Sequence, residues 1–314
     1  MAANSEEVLH DFPPMIRQYK DGRIERLMGT ETVPPSVDPE TGVQSKDVVI
    51  APEINLSARL YLPKSAIPGS KLPLLVYFHG GGFVVQSAAS PLYQKYLNCL
   101  VAEANVVVVS VDYRLAPEQP LPIAYEDSWL GFKWAVSQSN EEEWIKEYAD
   151  LNRVFLGGDS AGGNIAHNIA VRFGVEKLDG VNLIGTFLNC PFFWGKEVIG
   201  NEETYGITGR DYQDRLWHYI CPGATEGCDD PRINPGKNLK LSGLGCKKLL
   251  VYVAENDILR PRGLFYKELL RKSGWDGEIE VVDVEGESHC YSVECPTGEK
   301  GKEMIKRVAS FLNQ

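Results

Sequence analysis

The sequence predicts an α/β protein. We expect eight strands in a mostly parallel sheet flanked by helices, with a cap formed by the N-terminal segment and an insertion. Three observations carry that expectation. Strand-length apolar runs alternate with helical segments through the second half of the chain. One such run, Arg153–Leu156, breaks into Gly158-Asp159-Ser160-Ala161-Gly162 and resumes as a helical pattern. A long stretch, 191–245, interrupts the alternation without a convincing core strand. At 314 residues with 43% hydrophobic content, the chain can bury a large core, and α/β folds of this size are commonly one domain. We therefore read 1–314 as a single domain, with 1–35 as an N-terminal cap segment and 191–245 as a cap insertion.

The first 35 residues are too apolar for a disordered tail. Asp11–Tyr19 carries apolar residues beside Pro13 and Pro14, and Asp21-Gly22 turns the chain into Arg23–Leu27. Runs at Lys46–Ile50, Leu56–Leu62 and Leu72–Phe78 are bounded by Pro, Gly or Ser, as strands are. The run Asn105–Val111 is continuously apolar, which suits a parallel strand buried on both faces. Further strands are expected at Arg153–Leu156, Gly185–Leu188, Lys248–Ala254 and Ile279–Val284. Helices are expected at Leu92–Ala104, Tyr125–Gln138, Gly163–Phe173, Gly263–Ser273 and Lys300–Leu312.

Composition excludes some partners. Lys and Arg number 32 against 43 Asp and Glu, a net charge of −11, and no basic cluster tracks phosphates. A nucleic-acid partner is not expected. The N-terminus lacks the basic start and apolar core of a signal peptide, and no stretch approaches eighteen apolar residues. A cytoplasmic protein without membrane association is expected. The seven cysteines are scattered without C-x-x-C spacing and read as reduced thiols.

The stretch Gly158–Gly162 has the G-x-S-x-G form of a nucleophile elbow, a sharp strand-to-helix turn that exposes the serine. Upstream, His79-Gly80-Gly81-Gly82 is the loop type that completes an oxyanion hole. Ser160 needs a base, and elimination selects one of five histidines. His10 lies in the N-terminal segment, His79 opens the oxyanion loop, His167 sits two turns down the helix, and His218 falls in the insertion. His289 follows the last strand in a short loop, where the order nucleophile, acid, base requires it. The acid then belongs after Lys248–Ala254. Asp257 is preferred to Glu255, which directly follows the strand and more naturally caps its end. The catalytic set is thus Ser160, Asp257 and His289.

With Asp112-Tyr113-Arg114-Leu115-Ala116-Pro117-Glu118 added, these motifs in this order resemble the hormone-sensitive-lipase branch of the α/β-hydrolases. From about Asp11 onward the chain is most similar to the plant carboxylesterases, whose relatives include the gibberellin receptor and 2-hydroxyisoflavanone dehydratase. The resemblance implies an oxyanion hole from the backbone N–H groups of Gly81, Gly82 and Ala161, a pocket covered by the two cap segments, and no cofactor. It implies a small-molecule ester, or a related specialised metabolite, as the partner, and a monomer or weak homodimer. Asp112 and Glu118 are expected to brace the oxyanion loop.

Phe83, Val84, Phe192, Phe193, Trp194 and Tyr291 are candidate pocket-wall residues. The relatives differ in chemistry. The receptor type lacks the catalytic histidine, which here is His289, and the dehydratase type carries Thr at the nucleophile and HGGA in the loop. Cys190–Gly195 and Asp21–Leu27 nevertheless resemble the dehydratase subgroup. Ester hydrolysis is the first expectation, with elimination or cyclisation in the same pocket as the alternative and non-catalytic hormone binding as a third.

Overall fold

The computed structural model describes residues 7–314 except 138 and 140, and no side chain over 205–208. Residues 1–6 of the expected N-terminal cap, Gln138 of the expected second helix and the Tyr205 side chain lie outside the described residues. The chain opens with three short strands, β1 (Val8–Phe12), β2 (Ile16–Tyr19) and β3 (Ile24–Arg26), which form a small antiparallel sheet. Gly22, at φ +90°, makes the turn between β2 and β3 where Asp21-Gly22 predicts it.

Next come β4 (Gln44–Ala51), β5 (Leu56–Leu62), β6 (Leu72–Phe78), helix α1 (Pro91–Ala104) and β7 (Val107–Asp112). Helices α2 (Ile123–Ala135) and α3 (Glu143–Tyr148) lead into β8 (Ala149–Asp159), α4 (Ala161–Val175) and β9 (Leu183–Asn189). The insertion carries α5 (Gly206–Ile220) and short 3-10 turns. Then follow β10 (Lys248–Ala254), α6 (Arg260–Ser273), β11 (Glu278–Val284), α7 (Tyr291–Glu294) and α8 (Glu299–Leu312).

The main sheet has the eight strands that the sequence predicts, in the order β11-β10-β9-β8-β6-β7-β5-β4. Within it only β5 runs against the rest, since it pairs antiparallel with both β4 and β7. The central strands β6 and β7 are buried along almost their whole length, and β8 from Val154 onward, because helices cover both faces there. On one face α1 and α8 pack against Tyr77, Val108 and Phe155; on the other, α2 and α4 cover Val76, Val109 and Leu156. Every connection that follows a parallel strand at its carboxyl end emerges on one edge of the sheet. That edge receives the loops after β6, β8, β10 and β11, where ligands collect in open α/β sheets.

Above it, β1 meets the insertion. Phe12 stacks edge-on to Tyr212 at 5.8 Å and lies 4.9 Å from Tyr219, and the Tyr212 hydroxyl donates to the Phe12 carbonyl. Among the described residues, no helix is long and apolar enough to cross a membrane.

Candidate active site

Ser160 stands between β8 and α4 at φ 51° and ψ −118°, a conformation that L-residues rarely adopt. Its neighbours permit the turn by having no side chain. A Cβ on Gly158 would lie 2.4 Å from the Gly162 carbonyl, and one on Gly162 would lie 1.9 Å from the Phe78 oxygen. The turn is held by the Ser160 N–H, which donates to the Asn189 carbonyl at 2.8 Å, and by Phe192 N–H, which donates to the Ser160 carbonyl at 2.9 Å.

The loop after β6 is folded as tightly. Gly81 and Gly82 have φ +104° and +60°, and a Cβ on Gly81 would fall 2.2 Å from the Val85 carbonyl. The Gly81 carbonyl accepts from both Val84 and Val85, which bends the loop back on itself. Among the described residues, the N–H groups of Gly81, Gly82 and Ala161 donate to no protein acceptor. Ala161 is the first residue of α4, so its free N–H also carries the positive end of the helix dipole. His79 is buried, its ring stacked 4.2 Å from Tyr113, with Nδ1 2.8 Å from the Gly80 oxygen; burial lowers its pKa. Asp112 accepts from Ala88 N–H beyond the loop, and Glu118 holds Arg26, whose Nε donates to the Val84 carbonyl.

Asp257 follows β10 and His289 follows β11. The Asp257 carboxylate is 3% exposed; Oδ1 accepts from Leu259 N–H at 3.0 Å, and Oδ2 lies 2.6 Å from His289 Nδ1. Burial alone would lower the His289 pKa, but the facing Asp257 carboxylate and the Cys190 sulfur raise it well above the ordinary imidazole value. Glu255 instead accepts from Gly286 N–H, tying the β10 and β11 loops together. Among the described residues no hydrogen bond joins the Ser160 hydroxyl to the ring, although both residues face one cavity of about 630 Å³.

That cavity contains Gly81, Gly82, Ser160, Asp257 and His289 in its lining. Of the six wall candidates it brings in only Phe192. Phe83, at φ 65°, turns into the core among Tyr113, Tyr125 and Phe192. Val84 is fully buried beside it. Phe193 packs on His167 and Tyr266. Trp194 donates its indole N–H to Asp214 and is flanked by the guanidinium groups of Arg210 and Arg262, which anchor the insertion rather than a ligand. Tyr291 joins the core under α1 and α8.

The wall comes from elsewhere. Met15 and Met28 project from the N-terminal segment, Tyr212, Gln213 and Leu216 from α5, and Leu92 and Tyr93 from the start of α1. Ile258, Leu259, Val293 and Glu294 complete it beside Asp257 and His289. A signal for part of this was present, since Tyr212 and Leu216 are four residues apart and share a face of any helix drawn through the insertion. Nothing local marks Met15 or Met28.

The family model described as alpha/beta hydrolase fold matches residues 75–293. A 2-hydroxyisoflavanone dehydratase of Glycyrrhiza echinata is 46% identical over 98% of this chain and 97% of its own. An Arabidopsis thaliana protein named probable carboxylesterase 13 is 45% identical over 98% of each chain. Among solved structures, a hyperthermophilic esterase from the archaeon Pyrobaculum calidifontis aligns with a TM-score of 0.72 at 28% identity, covering 86% of this chain and 85% of that one.

Proposed function

Because the chain belongs to the alpha/beta hydrolase family, we propose that it is a carboxylesterase that cleaves small, largely apolar esters through Ser160, His289 and Asp257. The observation that carries this reading is the 2.6 Å contact between His289 Nδ1 and Asp257, on the wall of the cavity that also holds Ser160. Asp257 keeps the proton on Nδ1 and so leaves Nε2 as the base. His289 takes the hydroxyl proton as Ser160 attacks the acyl carbon. The carbonyl oxygen, now an anion, is received by the free N–H groups of Gly81, Gly82 and Ala161, a stabilisation worth about 3–4 kcal/mol per donor. His289 then protonates the departing alcohol, and water repeats the sequence on the acyl-enzyme. Met15, Met28, Val85, Leu92 and Leu216 give the cavity an apolar lining, and no Lys or Arg lies among the lining residues to favour an anionic substrate.

The N-terminal segment and the α5 insertion serve in this reading as the cap over the site. The test is covalent: a fluorophosphonate probe should label Ser160, and Ser160→Ala should abolish both labelling and p-nitrophenyl acetate hydrolysis. An unlabelled serine with no turnover of any activated ester would sink the proposal. The 46% identity to a dehydratase favours a second reading, elimination of water from a hydroxylated substrate in the same cavity. Product formed without net addition of water and surviving Ser160→Ala would select it.

A further inference from the structure

Beside His289 lie two thiols that the proposed ester hydrolysis does not use. Cys190 directly follows β9, Cys290 directly follows His289, and both are free thiols. Their two Sγ atoms and a ring nitrogen of His289 all lie within 4.8 Å of one another. Cys190 is 1% exposed and Cys290 6%, and Cys290 lines the cavity with His289, so a small ion reaches the cluster through the substrate space. Positive φ values, 44° at Cys190 and 54° at Cys290, fix both side chains in this arrangement, and Cys190 N–H is held by the Tyr252 carbonyl at 2.8 Å.

We infer that Cys190, Cys290 and His289 form a binding site for one thiophilic divalent cation of the zinc and cadmium class, and that its occupancy switches the esterase off. Two sulfurs and an imidazole are a soft donor set that selects such ions over magnesium or calcium. A tetrahedral zinc sets its sulfur and nitrogen ligands roughly 3.5–3.8 Å apart, so closure by about 1.0–1.3 Å at most completes the site. Asp257 already supplies the outer hydrogen bond that metal-binding histidines need, because it holds Nδ1 and leaves Nε2 for the ion. Two thiolates also neutralise a divalent charge in a buried place. The fourth position opens on the cavity, where solvent supplies a ligand. The inhibitory consequence rests on the proposed role of His289: the Nε2 lone pair cannot hold a cation and accept the Ser160 proton together.

The experiment titrates chelator-stripped, full-length protein with cadmium chloride alone and zinc chloride alone. We expect one ion per chain by calorimetry, with the ultraviolet absorption of cadmium–thiolate bonds rising in step. Ester turnover should fall with occupancy and return on adding EDTA. Cys190→Ser and Cys290→Ser should each weaken the ion at least tenfold and leave their residual turnover insensitive to it. The corresponding alanine variants, checked by circular dichroism, serve where a serine variant does not fold. Wild-type affinity in both cysteine variants overturns the site, and so does inhibition reversed by thiol reductant but not by EDTA, which indicates a disulfide. Tight binding with undiminished turnover overturns the inhibitory role. Calorimetry and absorption read the site even if no ester is hydrolysed, so failure of the esterase reading is seen separately.

Discussion

The Tyr93 hydroxyl joins the oxyanion loop to the elbow: it donates to Asp159 Oδ2 at 2.9 Å and accepts the Gly80 N–H at 2.7 Å. Tyr77 donates to the other oxygen of Asp159 at 2.8 Å. Burial raises the Asp159 pKa, and the two hydroxyls counter it. Tyr93→Phe leaves a buried N–H without an acceptor and a carboxyl with one donor fewer, a cost of about 1–3 kcal/mol. Because the strain falls on the backbone that places Gly81 and Gly82, we expect kcat to fall about tenfold or more while KM changes little. Steady-state kinetics on an activated ester check this, with urea unfolding to separate the effect on stability.

Gly81 and Gly82, proposed to receive the oxyanion, should not be equally replaceable. An alanine Cβ at Gly81 meets the Val85 carbonyl, part of the rigid backbone, at 2.2 Å. At Gly82 the nearest obstacle is the Met15 sulfur at 3.0 Å, the end of a flexible side chain. Gly82→Ala therefore mainly bears the cost of left-handed backbone, roughly 1 kcal/mol. We expect it to fold and keep measurable turnover, whereas Gly81→Ala loses nearly all activity or does not fold. Equal kinetics in the two variants would contradict the geometry.

Asp257→Asn tests the tautomer. The amide retains the shape of the carboxylate but can present N–H to Nδ1, which moves the ring proton to Nε2, where it blocks attack by Ser160. Turnover should drop by roughly four orders of magnitude with little change in KM, as tautomer reversal does in serine hydrolases generally. Glu255→Gln, on the neighbouring turn, should leave kcat within about threefold because its carboxylate accepts from the Gly286 backbone N–H, whereas Nδ1 of His289 faces Asp257. A larger loss at Glu255 than at Asp257 would reverse the assignment of the acid.

The sheet was legible because its information is local. Continuous apolar runs announce doubly covered strands, and the G-x-S-x-G spacing announces the turn, although Gly162 is demanded by the distant backbone of Phe78 and His79. The positions of Asp257 and His289 followed from chain order, since loops at the carboxyl ends of parallel strands converge on one edge. The wall was not legible, because an aromatic side chain in a cap faces whichever neighbour holds it. Trp194 was taken by Asp214 and two arginines, and Phe83 was turned inward by its own backbone. Met15 and Met28 enter the cavity only because β1 to β3 form a sheet of their own, which a segment divided by prolines does not announce.

Arg26 should govern substrate affinity more than chemistry. It pairs with both oxygens of Glu118 at 2.8 and 2.7 Å and donates to the Val84 and Ala116 carbonyls, fastening the segment that carries Met15 and Met28 to the loop after the oxyanion glycines. The same contact, opposed by partial burial, lowers the Glu118 pKa. Arg26→Ala frees that segment, and KM should rise about three- to tenfold with a smaller change in kcat. Arg26→Lys should restore little, because an ammonium cannot form the paired contact. Unchanged KM in both variants would show that the segment is held in some other way.

His167 should make the protein acid-sensitive independently of its catalysis. Its ring is fully enclosed, with Nδ1 2.8 Å from the Tyr266 hydroxyl and the other nitrogen without a partner among the described residues. Burial pushes its pKa down to about 3. An unfolded chain takes up this proton near pH 6.5, while the folded one refuses it. The contribution to stability is therefore complete above pH 6.5 and is lost as pH falls from there toward 3, by about 2 kcal/mol at pH 5. His167→Gln keeps an acceptor for Tyr266 but has no proton to gain. Urea unfolding at pH 7.5 and pH 5 should show the wild type losing about 2 kcal/mol more than the variant between the two conditions. Parallel losses would mean that the ring is protonated inside the fold.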